Sequence, residues 1–281
     1  MTEQSQTGNS SQAKPRRTKE VVRHVHLERT RPKLSNYDEQ DNARKAKKAQ
    51  NRRSRAQSAS RGKKASASPA RRDSRAKLRI IPLGGLDAIG KNMTAFECGN
   101  DMVLDDAGLM FPDDNHPGID LILPDYSYVL ENAEKLRGII ITHGHEDHTG
   151  ALPYLLKDLD RKVPIYATKL TLGLIEGKLA EHKIKNAKLC EIKPGQSIEL
   201  GSITAEFFSV NHPIPDAVGV FFQSPAGNVL HTGDFKLDQS PIDGVHTDFG
   251  ALARFSKIGV DLMMSDSTNA SNPNLLLQKL K

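Results

Sequence analysis

The chain has 281 residues, 37% of them hydrophobic, enough to bury one core in one large domain or two small ones. Its formal net charge of +6 hides an asymmetry: Met1 to Lys77 holds 22 Lys/Arg against 7 Asp/Glu, whereas Leu78 to Lys281 holds 18 against 27. The first dozen residues are polar and no apolar run approaches the roughly 18 residues of a membrane span, which argues against a secretory signal or an anchor and for a cytoplasmic protein.

Residues 1–77 read as a disordered basic arm. The segment has one aromatic, Tyr37, and runs such as Lys45-Ala-Lys-Lys48 and Arg52-Arg53-Ser-Arg55. Too little apolar surface is present to offset the entropy of ordering. Clustered Lys and Arg gain affinity for phosphates by counterion release, so a polyanion is the expected partner. A solubilising tail is the plainer alternative, and a transit peptide is disfavoured by Asp38, Glu39 and Asp41.

The body opens with the β-like run Leu78-Arg-Ile-Ile-Pro82, followed by Gly84-Gly85-Leu-Asp-Ala-Ile-Gly90, whose glycines punctuate a tight loop. Further strands are predicted at 93–98, 102–105, 138–142, 163–167, 203–210, 218–223, 228–231 and 260–264. Helical spacing falls at 150–159, 170–181 and 249–255. Strands occur both adjacent and separated by helices, which predicts an α/β fold with mixed sheets and helices outside. Cys98 and Cys190 fall in strands and read as two buried thiols with no disulfide between them.

The stretch Gly138-Ile-Ile-Ile-Thr-His-Gly-His-Glu-Asp-His-Thr-Gly150 carries the strongest chemical signal. An apolar strand runs into His143, His145, Asp147 and His148 just before a helix, with Gly144 admitting a close turn. Neutral imidazoles and carboxylates are the usual ligands of catalytic zinc, and a site without cysteine leaves the metal acidic enough to activate water. His143 and His145 are expected on one metal, with Asp147 and His148 facing a second. Two later strand ends, at His212 and at Asp234, supply a further histidine and a carboxylate able to bridge.

The order His143-x-His145-x-Asp147-His148, then His212, then Asp234 resembles the metallo-β-lactamase superfamily. Flanking words such as Ile89-Gly-Lys-Asn-Met93, Asp106-Ala-Gly-Leu-Met-Phe-Pro112, Val210-Asn-His-Pro-Ile-Pro-Asp-Ala217 and His231-Thr-Gly-Asp-Phe-Lys236 are similar to the ribonuclease J family, of the β-CASP branch. The resemblance runs from about Leu78 to Ala270.

It implies an αββα sandwich and a two-zinc nuclease that cuts RNA internally and in the 5′-to-3′ direction. It also implies that His143, His145, His212 and Asp234 hold one zinc, that Asp147, His148 and Asp234 hold the other, and that Asp147 steers the attacking water. Asp106 matches an aspartate behind the metals that orients their ligands, and His231 a position beside the site that is not a ligand. In that family the chain continues into an inserted RNA-clamping domain, a last metal histidine and a dimerisation domain that makes homo-oligomers. Residues 78–270 therefore read as the first part of the lactamase domain and 271–281 as an atypical tail. Asp87-Ala88 departs from the family's glycine and glutamate. Two rival readings stay open: a hydrolase of small thioesters or lactams, since fold alone does not decide function, and a catalytically dead RNA-binding fragment.

Overall fold

The computed structural model describes residues 76–185, 187–268 and 270. The arm, apart from its last two residues, and the tail from 271 onward lie outside the described residues.

Two sheets form the centre of the body. The first has six strands in the order β1 (Leu78–Gly84), β2 (Met93–Cys98), β3 (Asp101–Asp105), β4 (Leu136–Ile140), β5 (Pro164–Ala167) and β6 (Lys188–Glu191). β1 to β3 are antiparallel and β3 to β6 parallel. The second sheet comprises β7 (Ser197–Leu200), β8 (Ile203–Ser209), β9 (Val218–Ser224), β10 (Gly227–His231) and β11 (Leu262–Met264). β7 to β10 are antiparallel in sequence order, and β11 joins β10 in parallel.

The period-two alternation of strand side chains explains the layers. In β2, β3 and β4, Ala95, Leu104 and Ile139 turn to one cluster, while Phe96, Val103 and Ile140 turn to the other. The second cluster lies between the sheets and takes Phe207, Val220, Phe222 and Val229 from the second sheet. Phe96 and Phe222 stack there with ring centroids 4.2 Å apart.

Helices cover the outer faces. On the first sheet, α3 (Leu152–Asp158) and α4 (Lys169–Glu181) contribute Leu152, Leu155, Ile175 and Leu179. Two shorter helices, α1 (Ser127–Glu131) and α2 (Glu146–Thr149), complete that side. On the second sheet, α5 (Phe249–Ile258) lays Ala251 and Phe255 against Phe208, Phe221 and Leu230. Its first turn is capped by Asp248, whose carboxylate accepts a hydrogen bond from Ala251 N at 2.8 Å. The result is the expected αββα order. No helix among the described residues is long and apolar enough to cross a membrane.

Several sequence expectations are corrected. β7 is absent from the predicted strands, and β6 was anticipated only through Cys190, without bounds. The strand expected at 138–142 ends at Ile140, because Thr142 leaves the ladder: its N–H goes to the Asp106 carboxylate at 2.8 Å and its carbonyl to Val218 N at 3.1 Å. The helix expected at 150–159 is α3, Leu152–Asp158, with Pro153 in its first turn, and a short helix not expected from the sequence, α2, precedes it at Glu146–Thr149. Cys98 is buried, but Cys190 on edge strand β6 is partly exposed.

Candidate metal centre

The chemistry-bearing residues gather at the C-terminal ends of β3, β4, β8 and β10, which open at the same end of the two sheets. Past β4 the chain reaches His143, then His145 at the N-cap of α2, then Asp147 and His148 inside that helix. His212 follows β8, and Asp234 follows β10 by three residues.

The expected ligands converge. His143 Nε2 lies 3.0 Å from His145 Nδ1, and His212 Nε2 lies 3.2 Å from the same atom. Asp234 Oδ2 stands 4.0 Å from His143 Nε2, 3.9 Å from His212 Nε2 and 3.4 Å from His148 Nε2. Asp147 Oδ2 is 3.6 Å from His148 Nε2. Two groupings result, one on His143, His145 and His212 and one on His143, His148 and Asp234, each compact enough for a single ion. Asp147 borders the second, and Asp234 faces both.

This arrangement suits a cation better than it suits hydrogen bonding. Two ring nitrogens approach His145 Nδ1, and one proton cannot serve both. An ion accepts all three lone pairs, and nitrogens about 2.0–2.1 Å from a tetrahedral zinc stand about 3.4 Å apart, close to the spacings seen. The donor set of imidazoles and carboxylates without thiolate fits zinc or a similar divalent ion.

Asp106 organises the nitrogens from behind. Buried, with φ +61°, it accepts the Thr142 N–H at Oδ1 and lies 2.7 Å from His148 Nδ1 through Oδ2. The Thr142 hydroxyl donates to the same carboxylate at 3.0 Å and lies 3.1 Å from His143 Nδ1. A proton on each Nδ1 aims Nε2 of both rings into the site, as a lone pair on His143 and on His148 once the Nε2 proton is displaced. Asp106 thus contacts Thr142 and His148, and Thr142, which the sequence did not single out, links it to His143.

Electrostatics separate the rings. Burial, reinforced by the neighbouring His148 and His212, lowers the His143 pKa to about 2 and keeps that ring neutral. Burial also lowers His212. His148 goes the other way: burial opposes its charge, but Asp106 and Asp234 overcome it and hold the pKa well above the ordinary value. Asp234 is likewise penalised by burial, yet hydrogen bonding to His148 brings its carboxyl down to about 2.

Further contacts frame the centre. His231 Nδ1 lies 2.6 Å from Asp105 Oδ2, a buried pair beside the centre, and His231 touches none of the converging atoms. Burial pushes Asp105 up, and its carboxylate pushes His231 up. Gly144 sits in the expected bend with φ outside the left-handed region, and a Cβ there would meet the side-chain ends of Leu174 and Ile214. Asn92 is a second polar group missed in the sequence, 3.1 Å from His148 Nε2 through Nδ2. Its sequence signals were the glycines just before it and its place in the word Ile89-Gly-Lys-Asn-Met93, neither of which assigned it a role.

Residues 116–268 match the model of the β-lactamase superfamily domain. A ribonuclease J of Corynebacterium glutamicum is 48% identical over 198 residues, covering 70% of this chain and 27% of that protein. One from Mycolicibacterium smegmatis is 43% identical over 198 residues, covering 70% and 35%. One from Thermus thermophilus is 44% identical over 202 residues, again covering 70% and 35%. This chain thus spans about a third or less of the length of the curated relatives it matches. The matched domain takes in more than half of the chain, β4 to β11 of the two sheets and the converging histidines, and the chain belongs to the metallo-β-lactamase family.

Proposed function

We propose that this protein hydrolyses RNA phosphodiester bonds at a two-ion centre, with zinc as the resident metal. The observation that carries the reading is the approach of His143, His145 and His212 to a common point, with Asp234 shared toward His148. His143 Nε2, His145 Nδ1, His212 Nε2 and Asp234 would hold one ion, and Asp147, His148 Nε2 and Asp234 the other. Bound there, the ions supply Lewis acidity, lowering the pKa of water and neutralising charge on the phosphoryl oxygens.

The protein's own groups do the positioning. Asp106 fixes the His148 tautomer directly and that of His143 through Thr142. Asp147, a third exposed and 3.6 Å from His148 Nε2 through Oδ2, would orient an attacking water in line with phosphorus. His143, wholly buried and kept neutral, offers its lone pair without first losing a proton.

RNA as substrate is favoured by similarity to ribonuclease J at 43–48% identity and by the basic arm. Both internal cleavage and 5′-to-3′ trimming, as components of RNA processing and decay, follow by the same likeness. A cytoplasmic location agrees with two free thiols. The test is hydrolysis of a 5′-labelled single-stranded RNA by the full chain. His143→Ala should lower the rate more than about a hundredfold, beyond the loss typical of removing an outer hydrogen-bond partner. Hydrolysis of a small thioester with no action on RNA would overturn the substrate, and an unchanged rate in the variant would overturn the site.

A further inference from the structure

The glycine-punctuated loop between β1 and β2 has so far no role. Its backbone is unusual: Gly85 has φ +82°, Asp87 +53°, Gly90 +100° and Lys91 +55°, all left-handed, within seven residues. Such conformations persist where the surroundings enforce them, and they concentrate at functional sites. Asp87 occupies the position where the resembling family has glycine, and aspartate is among the few other residues that tolerate that region. The loop is not held by burial of its large side chains, because Leu86 and Ile89 are 67% and 80% exposed.

What anchors it is its end. Lys91 N donates to Leu109 O at 3.0 Å, Asn92 N donates to Asp147 O at 3.0 Å, and Asn92 O accepts from Gly108 N at 2.9 Å. The Asn92 side chain follows the same direction. Its Nδ2 donates to Asp147 O at 3.1 Å and to Asp147 Oδ2 at 3.3 Å, and it lies 3.1 Å from His148 Nε2. Asp147 therefore meets the Asn92 backbone and side chain together. A Cβ on Gly85 would meet Asn92 Oδ1 at 2.6 Å, so the paired glycines leave the room in which this amide sits.

We infer that Asn92 is the positioning residue of the second metal position and that the glycine loop exists to deliver it. Asp147 and Asp234 are both about a third exposed, but Asp234 Oδ2 lies within 4.0 Å of ring nitrogens of His143, His148 and His212, whereas Asp147 Oδ2 faces His148 Nε2 at 3.6 Å, so a free Asp147 rotor would sample orientations that do not face His148. The amide N–H fixes that rotor while leaving the remaining lone pairs of Oδ2 toward the ion. It thus does for Asp147 what Asp106 does for His148. Hydrogen-bond partners of this kind change metal affinity by about 10–100-fold. The inference rests on the two-ion reading proposed above.

The test is a cobalt(II) titration of the metal-free full-length protein, followed by the visible ligand-field absorption, alongside thermal melting without metal. The unaltered protein should take up two equivalents in two resolvable steps. Asn92→Ala should keep the first step and the metal-free melting temperature, and weaken the second step about 10–100-fold with an altered second-step spectrum. Gly85→Ala, which crowds the amide, should shift the same step. Two unchanged steps in Asn92→Ala overturn this inference alone. Equal weakening of both steps together with a lower melting temperature does so too, since it marks a purely structural role. Failure of the unaltered protein to bind two equivalents overturns the two-ion reading and this inference with it.

Discussion

His148 is the residue at which the site's proton balance and its proposed metal chemistry meet. Asp106 at 2.7 Å and Asp234 at 3.4 Å keep its pKa well above the ordinary 6.5 despite burial. In the metal-free protein, the charged ring contributes stability that is fully present below 6.5 and fades as pH rises through the raised folded value. A metal at Nε2 must displace that proton, so affinity for the second ion should climb as pH rises from about 6 to about 8, with proton release measurable by calorimetry in two buffers. A flat affinity and no release over that range would contradict this assignment. His143, held neutral by burial, should make the first ion much less dependent on pH. Sequence spacing alone indicated the histidines and Asp234, because short strand-end motifs keep their meaning without coordinates. Thr142 and Asn92 were not legible, since threonine and asparagine serve loops everywhere and only their contacts single them out.

At the scale of elements, apolar pattern was informative where both faces of a strand are buried. β2 reads Met-Thr-Ala-Phe-Glu-Cys and is buried throughout, and it was placed at its true bounds. β7, Ser-Ile-Glu-Leu, alternates but is only four residues long, while β6, Lys-Leu-Cys-Glu, lacks alternation, and both lie at sheet edges, so neither stood out as a bounded strand. Thr142 illustrates a different loss: its backbone bonds go to the Asp106 side chain and to β9, a competition that no local pattern displays. The inter-sheet stack of Phe96 on Phe222, both rings fully buried, joins β2 to β9, the strands paired with the site-bearing β3 and β10. Phe96→Ala should cost about 3–5 kcal/mol in chemical denaturation of the metal-free protein. A change below about 1 kcal/mol would mean the sheets close over the gap.

For the molecule as a whole, charge was legible in full, with a basic first quarter and an acidic body bearing the metal ligands. Under the proposed function, an acidic body would repel RNA and the basic arm is the segment expected to attract it. Removing residues 1–77 should weaken RNA binding and flatten its dependence on salt, read by fluorescence anisotropy at low and high ionic strength. Equal affinity with and without the arm at both salt concentrations would remove it from the mechanism.

The most direct measurement of the central claim is anomalous diffraction at the zinc edge from crystals of the full chain grown with zinc. Two peaks are predicted. One should lie within bonding distance of His143, His145 and His212, and the other should lie beside Asp147 and His148, with Asp234 between them. Zinc found only elsewhere on the surface, with the histidine cluster free of signal, would contradict the account.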